Sequence, residues 1–383
     1  MKKIVGILAA AAIATSVFAA DVSAATKIGG KLFHYDADKT IGLLTENNDS
    51  HDYAQPNITF SVSDEKAGAT VKLTTDGGDK AVKMTTQTIW FKPVDMLKIT
   101  AGTFDIALNK ETIDYTESVT GLGGNGFLAT VDVSGFTLDV GFEANGKDWL
   151  SKKDADDDPT INKFFIKGAY SADFGNIGAY VKFNGAEDKL TKAFKDVDDA
   201  ADAAALEKAL KALTDVLGKP YASILKPKDG AISSVEFGAG YKNTFDPITM
   251  FVNVVGFMDD SFEWIRPEVF VTGNMDAFGF SAFVAPAIML DSDVKDTLDF
   301  FDISPIFLET VAKVTYQMDA CSLYAYFKDA NLLAKDFAAT IKLGANGSLG
   351  AMGWNIWAQI DTGKGADKDK TEFSVPFELT FNF

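Results

Sequence analysis

The chain has 383 residues, a formal net charge of −18 and 31 Phe among its aromatic residues. So large an acidic excess argues against nucleic acid as a partner, because nucleic-acid binding needs a basic surface. The single cysteine, Cys321, can form no internal disulfide, which excludes a disulfide-stapled fold and leaves a small apolar residue in a strand as the simplest interpretation.

The N-terminus has the pattern of a secretory signal peptide. Two lysines precede a short apolar stretch at 4–17, and a small-residue cleavage site ends at Ala19, with a second choice ending at Ala24. We expect residues 1–19 to be removed on export and residues 20–383 to form a single domain. No later stretch holds roughly 18–20 apolar residues without charge, so no transmembrane helix is predicted.

After the signal peptide, apolar and polar residues alternate with the period of two that only a β-strand produces. Many of these segments have the roughly 9–11 residues that a tilted membrane strand requires. We predict about eighteen strands, with sixteen as the alternative, near residues 26–35, 57–63, 69–76, 81–92, 95–104, 125–133, 136–145, 162–172, 175–184, 231–242, 247–257, 264–274, 277–289, 306–318, 321–329, 336–346, 350–362 and 371–383.

The connections between these segments alternate in length. Tight turns occur near 92–95, 134–135, 172–175, 274–276 and 319–320. Between them lie longer polar stretches, near 36–56, 105–124, 146–161, 185–230, 290–305 and 362–370. Short turns at one rim and long loops at the other are typical of a membrane-spanning, antiparallel, up-and-down β-barrel.

One segment departs from the β pattern. Residues 187–217 place leucines and other apolar residues at helical spacing, and Gly218 and Pro220 follow as stop signals. We therefore predict a helical insertion in the longest loop. Its apolar stripe could cover the outer mouth, fold into the lumen as a plug, or present a surface to partners.

The last twelve residues carry the clearest alternation. Phe and other apolar side chains occupy the odd positions up to Phe383, and polar side chains, including Glu372 and Glu378, occupy the even positions. A strand between lipid and water needs this pattern. It resembles the final strand of bacterial outer-membrane barrels, and the resemblance implies outer-membrane lipid and the barrel assembly machinery as partners, with Phe383 as the assembly signal. A soluble secreted β-sandwich is the competing interpretation.

The polar faces of the strands carry mixed charge, which predicts a watery, pore-lining surface. The candidate lumen residues are Lys72, Lys98, Asp132, Asp139, Glu143, Lys182, Glu236, Lys313, Lys328, Lys342, Asp361, Glu372 and Glu378. Because acids and bases nearly balance in this set, the surplus acid is expected mostly in the loops. An electronegative mouth favours a weak cation preference that salt screens.

The layout of the mature chain resembles that of a bacterial porin. The segment 92–102 is also similar to a porin-type repeat, of spirochaete kind. The resemblance implies that the long loop 105–124 bends inward as a constriction, with candidates Asp105, Glu111, Asp114 and Glu117. The arginine ladder of general porins is absent, because Arg266 is the only arginine. Barrels of 16–18 strands keep an aqueous channel.

Catalytic and metal-binding motifs are weak. The chain has two histidines, His34 and His51, and no Gly-x-Ser-x-Gly elbow. The acidic run 154–158 lacks the glycine and the glutamate that a calcium loop needs. We expect no enzyme activity, no cofactor and no metal.

The sequence thus predicts an outer-membrane channel for passive diffusion of small hydrophilic solutes. The alternative is a surface adhesin or major surface protein that uses the barrel as an anchor. A substrate-specific channel also stays open, because Tyr180, Tyr324, Tyr326 and Trp357 face the lumen in this register. Trp90, Trp264 and Trp354 are expected near the membrane interface. The sequence leaves open whether copies associate into a homo-oligomer.

Overall fold

The computed structural model describes most of the chain after the predicted signal peptide. The described residues are 20–35, 41–45, 57–75, 82–109, 113, 122–144, 161–184, 186–188, 225–227, 234–258, 262–292, 295, 304–329, 331–333, 339–362 and 371–382. Signal residues 1–19, the acidic run 154–158, His51 and Phe383 lie outside this set. Within the described residues, no helix has both the length and the apolar character needed to cross a membrane.

The described residues are dominated by β-strands. Their bounds are β1 (Ala20–Tyr35), β2 (Ile41–Thr45), β3 (Asn57–Ser63), β4 (Ala67–Thr75), β5 (Val82–Val94), β6 (Leu97–Phe104), β7 (Gly124–Val133), β8 (Phe136–Ala144), β9 (Ile161–Ala172), β10 (Gly175–Asn184), β11 (Ala186–Asp188), β12 (Leu225–Pro227), β13 (Ser234–Phe245), β14 (Ile248–Met258), β15 (Phe262–Met275), β16 (Phe278–Met289), β17 (Ile306–Gln317), β18 (Ser322–Asp329), β19 (Ala339–Leu349), β20 (Met352–Thr362) and β21 (Thr371–Asn382).

These strands close into an antiparallel ring of eighteen positions. From β3 to β10 and from β13 to β21 each strand pairs with the next, β10 pairs with β13, and β1 pairs with β21 from Ala25 opposite Asn382 to Tyr35 opposite Phe373. The second position is filled in two pieces, because β3 pairs with the first part of β1 and β2 with its last part. The prediction of about eighteen strands in an up-and-down barrel is confirmed. The first strand begins at Ala20, six residues earlier than predicted.

The two rims differ as predicted. Tight turns connect β3 to β4, β5 to β6, and six further pairs at one rim, among them Ser134-Gly135, where both residues have positive φ. That conformation belongs to the type I′ turn, whose twist suits a two-residue hairpin. The first and last described strands reach this rim, since Ala20 is opposite Val62, next to the end of β3, and Phe381 is opposite Met352, the first residue of β20.

The wall has an apolar outer face and an inner face on which many side chains are buried. In β14 the residues Phe251, Asn253, Val255 and Phe257 are all buried, while the intervening Val254 is 39% exposed. Directly opposite residues of an antiparallel ladder share a face, so the pairing extends this assignment from strand to strand. The inner face carries the polar positions of the alternating sequence pattern.

The longest loop contains a short β-ladder at its base. Here β11 pairs with β12, with Glu187 opposite Lys226 and Asp188 opposite Leu225. The predicted helix 187–217 is therefore wrong at its first two residues, whose backbones are extended by pairing with β12. Residues 189–217 lie outside the described residues.

Candidate functional site in the barrel interior

The connection after β6 turns into the barrel. Leu108 Cδ1 lies 2.7 Å from the point where a Cβ on Gly178 would stand, and Asn109 Nδ2 lies 2.8 Å from the same point on Gly240. These glycines belong to the inner faces of β10 and β13, so their missing side chains make room for the connection. Asn109 Nδ2 also donates a buried hydrogen bond of 2.8 Å to Asn253 Oδ1 on β14.

The same connection reaches the far wall. Ile113 is 1% exposed and packs in an apolar cluster with inward side chains of β14–β18, among them Phe251, Phe283 and Val311. In the ring of eighteen, β17 lies nine positions from β6, which is halfway round. The connection between β6 and β7 therefore crosses the interior. Of the four predicted constriction residues, Asp105 is exposed at the start of this crossing.

The other three predicted constriction residues, Glu111, Asp114 and Glu117, lie outside the described residues. Asn109 and Ile113, which hold the crossing to the wall, were not predicted. The sequence offers no signal for them, because alternation stops at Phe104 and no spacing rule connects them to the far strands.

A chain of polar contacts continues from the point where the crossing meets the wall. Asn253 Nδ2 donates to Glu268 Oε2 at 3.1 Å. Arg266 contacts Glu268 Oε1 through Nε at 3.3 Å and donates through Nη2 to Glu309 Oε2 at 2.9 Å. Lys328 Nζ lies 3.9 Å from Glu309 Oε1. The buried charges on this wall therefore compensate one another, as buried charges must.

Two more ion pairs lie on the neighbouring part of the inner face. Lys182 Nζ lies 3.3 Å from Glu236 Oε2, and Tyr180 donates its hydroxyl to Glu236 Oε1 at 2.8 Å. Lys167 Nζ lies 3.2 Å from Asp139 Oδ2. The predicted acids Asp139 and Glu236 are thus each paired with a lysine that lies directly opposite on the adjacent strand, and Tyr180 adds a hydrogen bond to Glu236.

Lysines and aromatic rings alternate on the inner face of β17–β20. Lys313 Nζ lies 4.9 Å from the centre of the Tyr324 ring. Lys342 Nζ lies 4.9 Å from the Tyr326 ring and 5.7 Å from the Trp357 ring. Distances under about 6 Å are favourable for a cation over an aromatic face. We call Tyr324, Tyr326, Trp357, Lys313 and Lys342 the aromatic–lysine patch.

The pairing register assigns the predicted lumen residues to the inner face. The described set is Lys72, Lys98, Asp132, Asp139, Glu143, Lys182, Glu236, Lys313, Lys328, Lys342, Asp361, Glu372 and Glu378. Lys72 has no ion pair within the described part of the chain, and Lys98 lies 4.9 Å from the Trp90 ring. Asp132 is exposed near the short-turn rim.

Sequence reasoning missed several inward charges. Lys167, Glu268 and Glu309 were not singled out, and Arg266 was noted only as the lone arginine. Residues 264–270 contain the signal, since buried Trp264, Arg266, Glu268 and Phe270 alternate with outward residues such as Val269. Pro267 in the middle of that segment obscures the alternation.

The interface prediction for tryptophan is wrong at two of three positions. Trp264 is 4% exposed and stacks on the buried Phe257 ring at 5.7 Å, so it faces the interior. Trp90 pairs with the buried Thr100 and lies under Lys98, while its neighbour Ile89 is 64% exposed outside. Trp354 alone faces outward, beside Ile356.

The short-turn rim carries its own charge contacts. The Asp64 carboxylate accepts hydrogen bonds of 2.7 Å from the backbone N–H groups of Lys66 and Ala67, which lower its pKa. Lys66 forms a hydrogen-bonded ion pair with Asp95, which raises the pKa of Lys66 and lowers that of Asp95. This pair connects the β3–β4 turn to the β5–β6 turn.

No group suited to a metal ion, with three or more His, Cys, Asp or Glu side chains, occurs within the described ranges. No family model matches the chain. No curated protein matches its sequence.

Solved structures do resemble it. OccK3 (OpdO) of Pseudomonas aeruginosa shares 10% identity, with 95% of each chain covered and a TM-score of 0.51. A loop L8 deletion mutant of OmpT, an outer membrane protein of Vibrio cholerae, shares 10% identity over 95% of this chain and 100% of its own, with a TM-score of 0.45. A mutant Rh. blastica porin shares 11% over the same fractions, with a TM-score of 0.42. At these identities the likeness is one of fold alone, a closed β-barrel.

Proposed function

We propose that this barrel is a passive diffusion channel for small hydrophilic solutes in a bacterial outer membrane. The observation that carries the proposal is the closed ring of eighteen strands with an apolar outer face and charged residues on the inner face. A closed ring leaves no unpaired strand edge in lipid. Barrels of 16–18 strands are too wide for their own wall side chains to fill.

The crossing between β6 and β7 supplies the filter for size. It is held to the wall by the Asn109–Asn253 hydrogen bond and by Ile113 in the apolar cluster. A solute must then pass between this crossing and the remaining wall. Asp105, Glu111, Asp114 and Glu117 are proposed to give this constriction its charge.

The ion preference is proposed to be weak and to favour cations. Inward acids such as Asp139, Glu236 and Glu309 lie beside Lys or Arg, so much of the wall is close to neutral. The net charge of −18 therefore belongs mostly to the connections. Acidic connections at a mouth raise the local cation concentration, and the effect weakens as salt shortens the Debye length.

Planar bilayers test the channel. Purified protein should produce discrete openings, and a potassium chloride gradient at low salt should give a reversal potential of cation-selective sign that shrinks in about 1 M salt. Anion selectivity at low salt would overturn the ion preference. Silent bilayers, with protein shown to be folded by its β-sheet circular dichroism, would favour the adhesin alternative.

We also propose how the protein is exported and assembled, from a signal peptide at residues 1–19 and an assembly signal at Phe383. Cleavage after Ala19 would preserve residues 20–24, which pair with β3, whereas cleavage after Ala24 would remove them from the ladder. We therefore propose residues 1–19 as the signal peptide, and mass spectrometry of the mature N-terminus tests this. Deletion of Phe383 should reduce the folded barrel recovered in outer membranes without altering its folding in detergent.

A further inference from the structure

The apolar outer face of the wall is interrupted on β5, β6 and β7. Thr103 is directly opposite Asn125, and the backbone N–H of Gln87 donates to Thr103 Oγ1 at 3.2 Å, so these three residues lie side by side. Alternation places them outward, since Ile89 and Phe127, two residues away on the same strands, are 64% and 38% exposed on the outer face. We call Gln87, Thr103 and Asn125 the outer polar row.

The outer polar row carries hydrogen-bonding groups that hydrocarbon cannot satisfy. Gln87 and Asn125 are exposed, and Thr103 Oγ1 donates to Asn125 Oδ1 at 2.8 Å. Within the described part of the chain, neither the side-chain amide of Gln87 nor Asn125 Nδ2 has a hydrogen-bond partner. An amide without a partner in the hydrocarbon layer is costly, because no water is present there to bond with it. The row therefore needs a polar layer in front of it.

The row lies low on the wall. Below it on β6, the outward apolar residues from Leu97 to Ala101 span only about 10 Å, at about 3.4 Å per residue and a tilt of about 40°. On β16, eight positions away in the ring, the outward side chains stay apolar for about 26 Å. They are Phe278, Phe280, Ala282, Val284, Pro286 and Ile288. The span on β16 matches the apolar band of membrane barrels, about 25 Å tall, and the span on β6 is less than half of it.

The size and chemistry of the row favour lipid headgroups over a second copy of the chain. Three strands about 4.8 Å apart and a missing apolar height of about 16 Å give an area of about 200 Å². A stable protein interface buries about 800 Å² on each partner. Phosphate oxygens of headgroups, and the water bound to them, accept hydrogen bonds from the amide donors of Gln87 and Asn125. A membrane surface can dip to this height at a modest cost for each Å of mismatch.

We propose that the outer polar row is a contact site for the phosphate-bearing headgroups of the leaflet at the long-loop rim. That leaflet dips toward the row, so the bilayer is thinner beside β5–β7 than beside β14–β16. The inference rests on the proposed function, because it requires the barrel to span a membrane.

Spin-label accessibility in dioleoylphosphatidylcholine vesicles tests the contact. In a Cys321→Ala background, a nitroxide is attached at Gln87→Cys or, as the matched control, at Val284→Cys. Val284 is 39% exposed on the outer face and lies six residues from Phe278, the first residue of β16, just as Thr103 beside Gln87 lies six residues from the start of β6. Relaxation by a water-soluble nickel chelate should dominate at Gln87→Cys, and relaxation by dissolved oxygen should dominate at Val284→Cys, because oxygen concentrates in hydrocarbon.

A second measurement needs no label. Asn125→Leu should change the equilibrium constant of reversible unfolding in these vesicles by less than about threefold, because the amide already lies in a polar layer. Val284→Asn should lower the stability constant by about tenfold or more, because it places an amide in hydrocarbon. Circular dichroism and SDS resistance establish that each variant is folded.

Two results would overturn the headgroup contact and leave the barrel in the membrane. One is oxygen-dominated relaxation at both labelled positions, together with a large gain in stability from Asn125→Leu. The other is a label at Gln87→Cys that neither reagent reaches until the protein is diluted with lipid, which would mean that a second copy covers the row. A Val284→Cys label dominated by the nickel chelate would instead show that the barrel does not span the bilayer, and the proposed function would fail with it.

Discussion

Replacement of Arg266 by Met should strongly destabilise the barrel. The guanidinium lies between the carboxylates of Glu268 and Glu309, and the three side chains are 6%, 1% and 10% exposed. Met keeps much of the aliphatic length that leads to the guanidinium, whose Cζ lies 5.9 Å from the centre of the Phe283 ring, so the main change is electrostatic. Two carboxylates would lose the cation they share.

The size of the effect follows from Coulomb's law. Unit charges about 4 Å apart at an effective dielectric constant of about 20 interact by about 4 kcal/mol. The favourable energy of the two contacts is partly offset, because burying the guanidinium in the folded protein costs it the solvation that it has in the unfolded chain. Removing one partner from a buried ion pair leaves an uncompensated charge and typically costs about 3–5 kcal/mol. We expect Arg266→Met to lower the free energy of unfolding by that amount.

Reversible urea unfolding of protein refolded in lipid vesicles, followed by tryptophan fluorescence, measures this change. Lys98→Met is the matched control, because Lys98 lies over Trp90 with no ion pair within the described residues. This substitution should lower the free energy of unfolding by less than about 1 kcal/mol. In a Glu268→Gln and Glu309→Gln background, Arg266→Met should cost less than half as much. An Arg266→Met loss no larger than that of Lys98→Met would refute the reasoning.

Three further outcomes are expected. Asn109→Ala should raise single-channel conductance by loosening the crossing, and adding Asn253→Ala should raise it little further, because the two residues share the hydrogen bond to the crossing while the other bond of Asn253, to Glu268, lies within the wall; additive effects on conductance would contradict this. Asp64 should titrate below its ordinary pKa in NMR, so its contribution to stability is present above the unfolded pKa of about 3.9 and is lost as pH falls through the lower folded value; a pKa of about 3.9 for Asp64 in the folded protein would argue against the turn contacts. Brominated acyl chains should quench Trp354 in a single-tryptophan variant and leave Trp264 nearly unquenched; equal quenching would refute the assignment of faces.

The strands were predictable from sequence because a wall between lipid and a polar interior imposes the same alternation on every strand. Residues 136–143 and 372–382 each define their faces without knowledge of a neighbour. Where a strand contains an irregularity the prediction weakens. Trp264 precedes Pro267 and lies next to a register shift between Phe257 and Met258, and it was expected at the membrane interface whereas it faces the interior.

The partners of the inward charges could not be predicted in this way. Arg266 and Glu309 are 43 residues apart, and their contact depends on the registers of two ladders that alternation alone does not determine. Asn109 and Asn253 are 144 residues apart. Alternation assigns each side chain to a face, whereas the height of that side chain on the wall, and so its partner, comes from the register.

The pairing of β1 with β21 has a consequence for folding. It joins positions about 350 residues apart, as with Lys31 opposite Pro376. The chain entropy lost on bringing such distant positions together is about 5 kcal/mol from (3/2)RT ln n. Each backbone group left unpaired in hydrocarbon costs several kcal/mol, and this seam pairs ten residues on each side. The free energy of closing the barrel is therefore favourable at equilibrium by a wide margin. Closure is nevertheless a slow step, because the paired positions are far apart in the sequence and both ends of the sheet must be present.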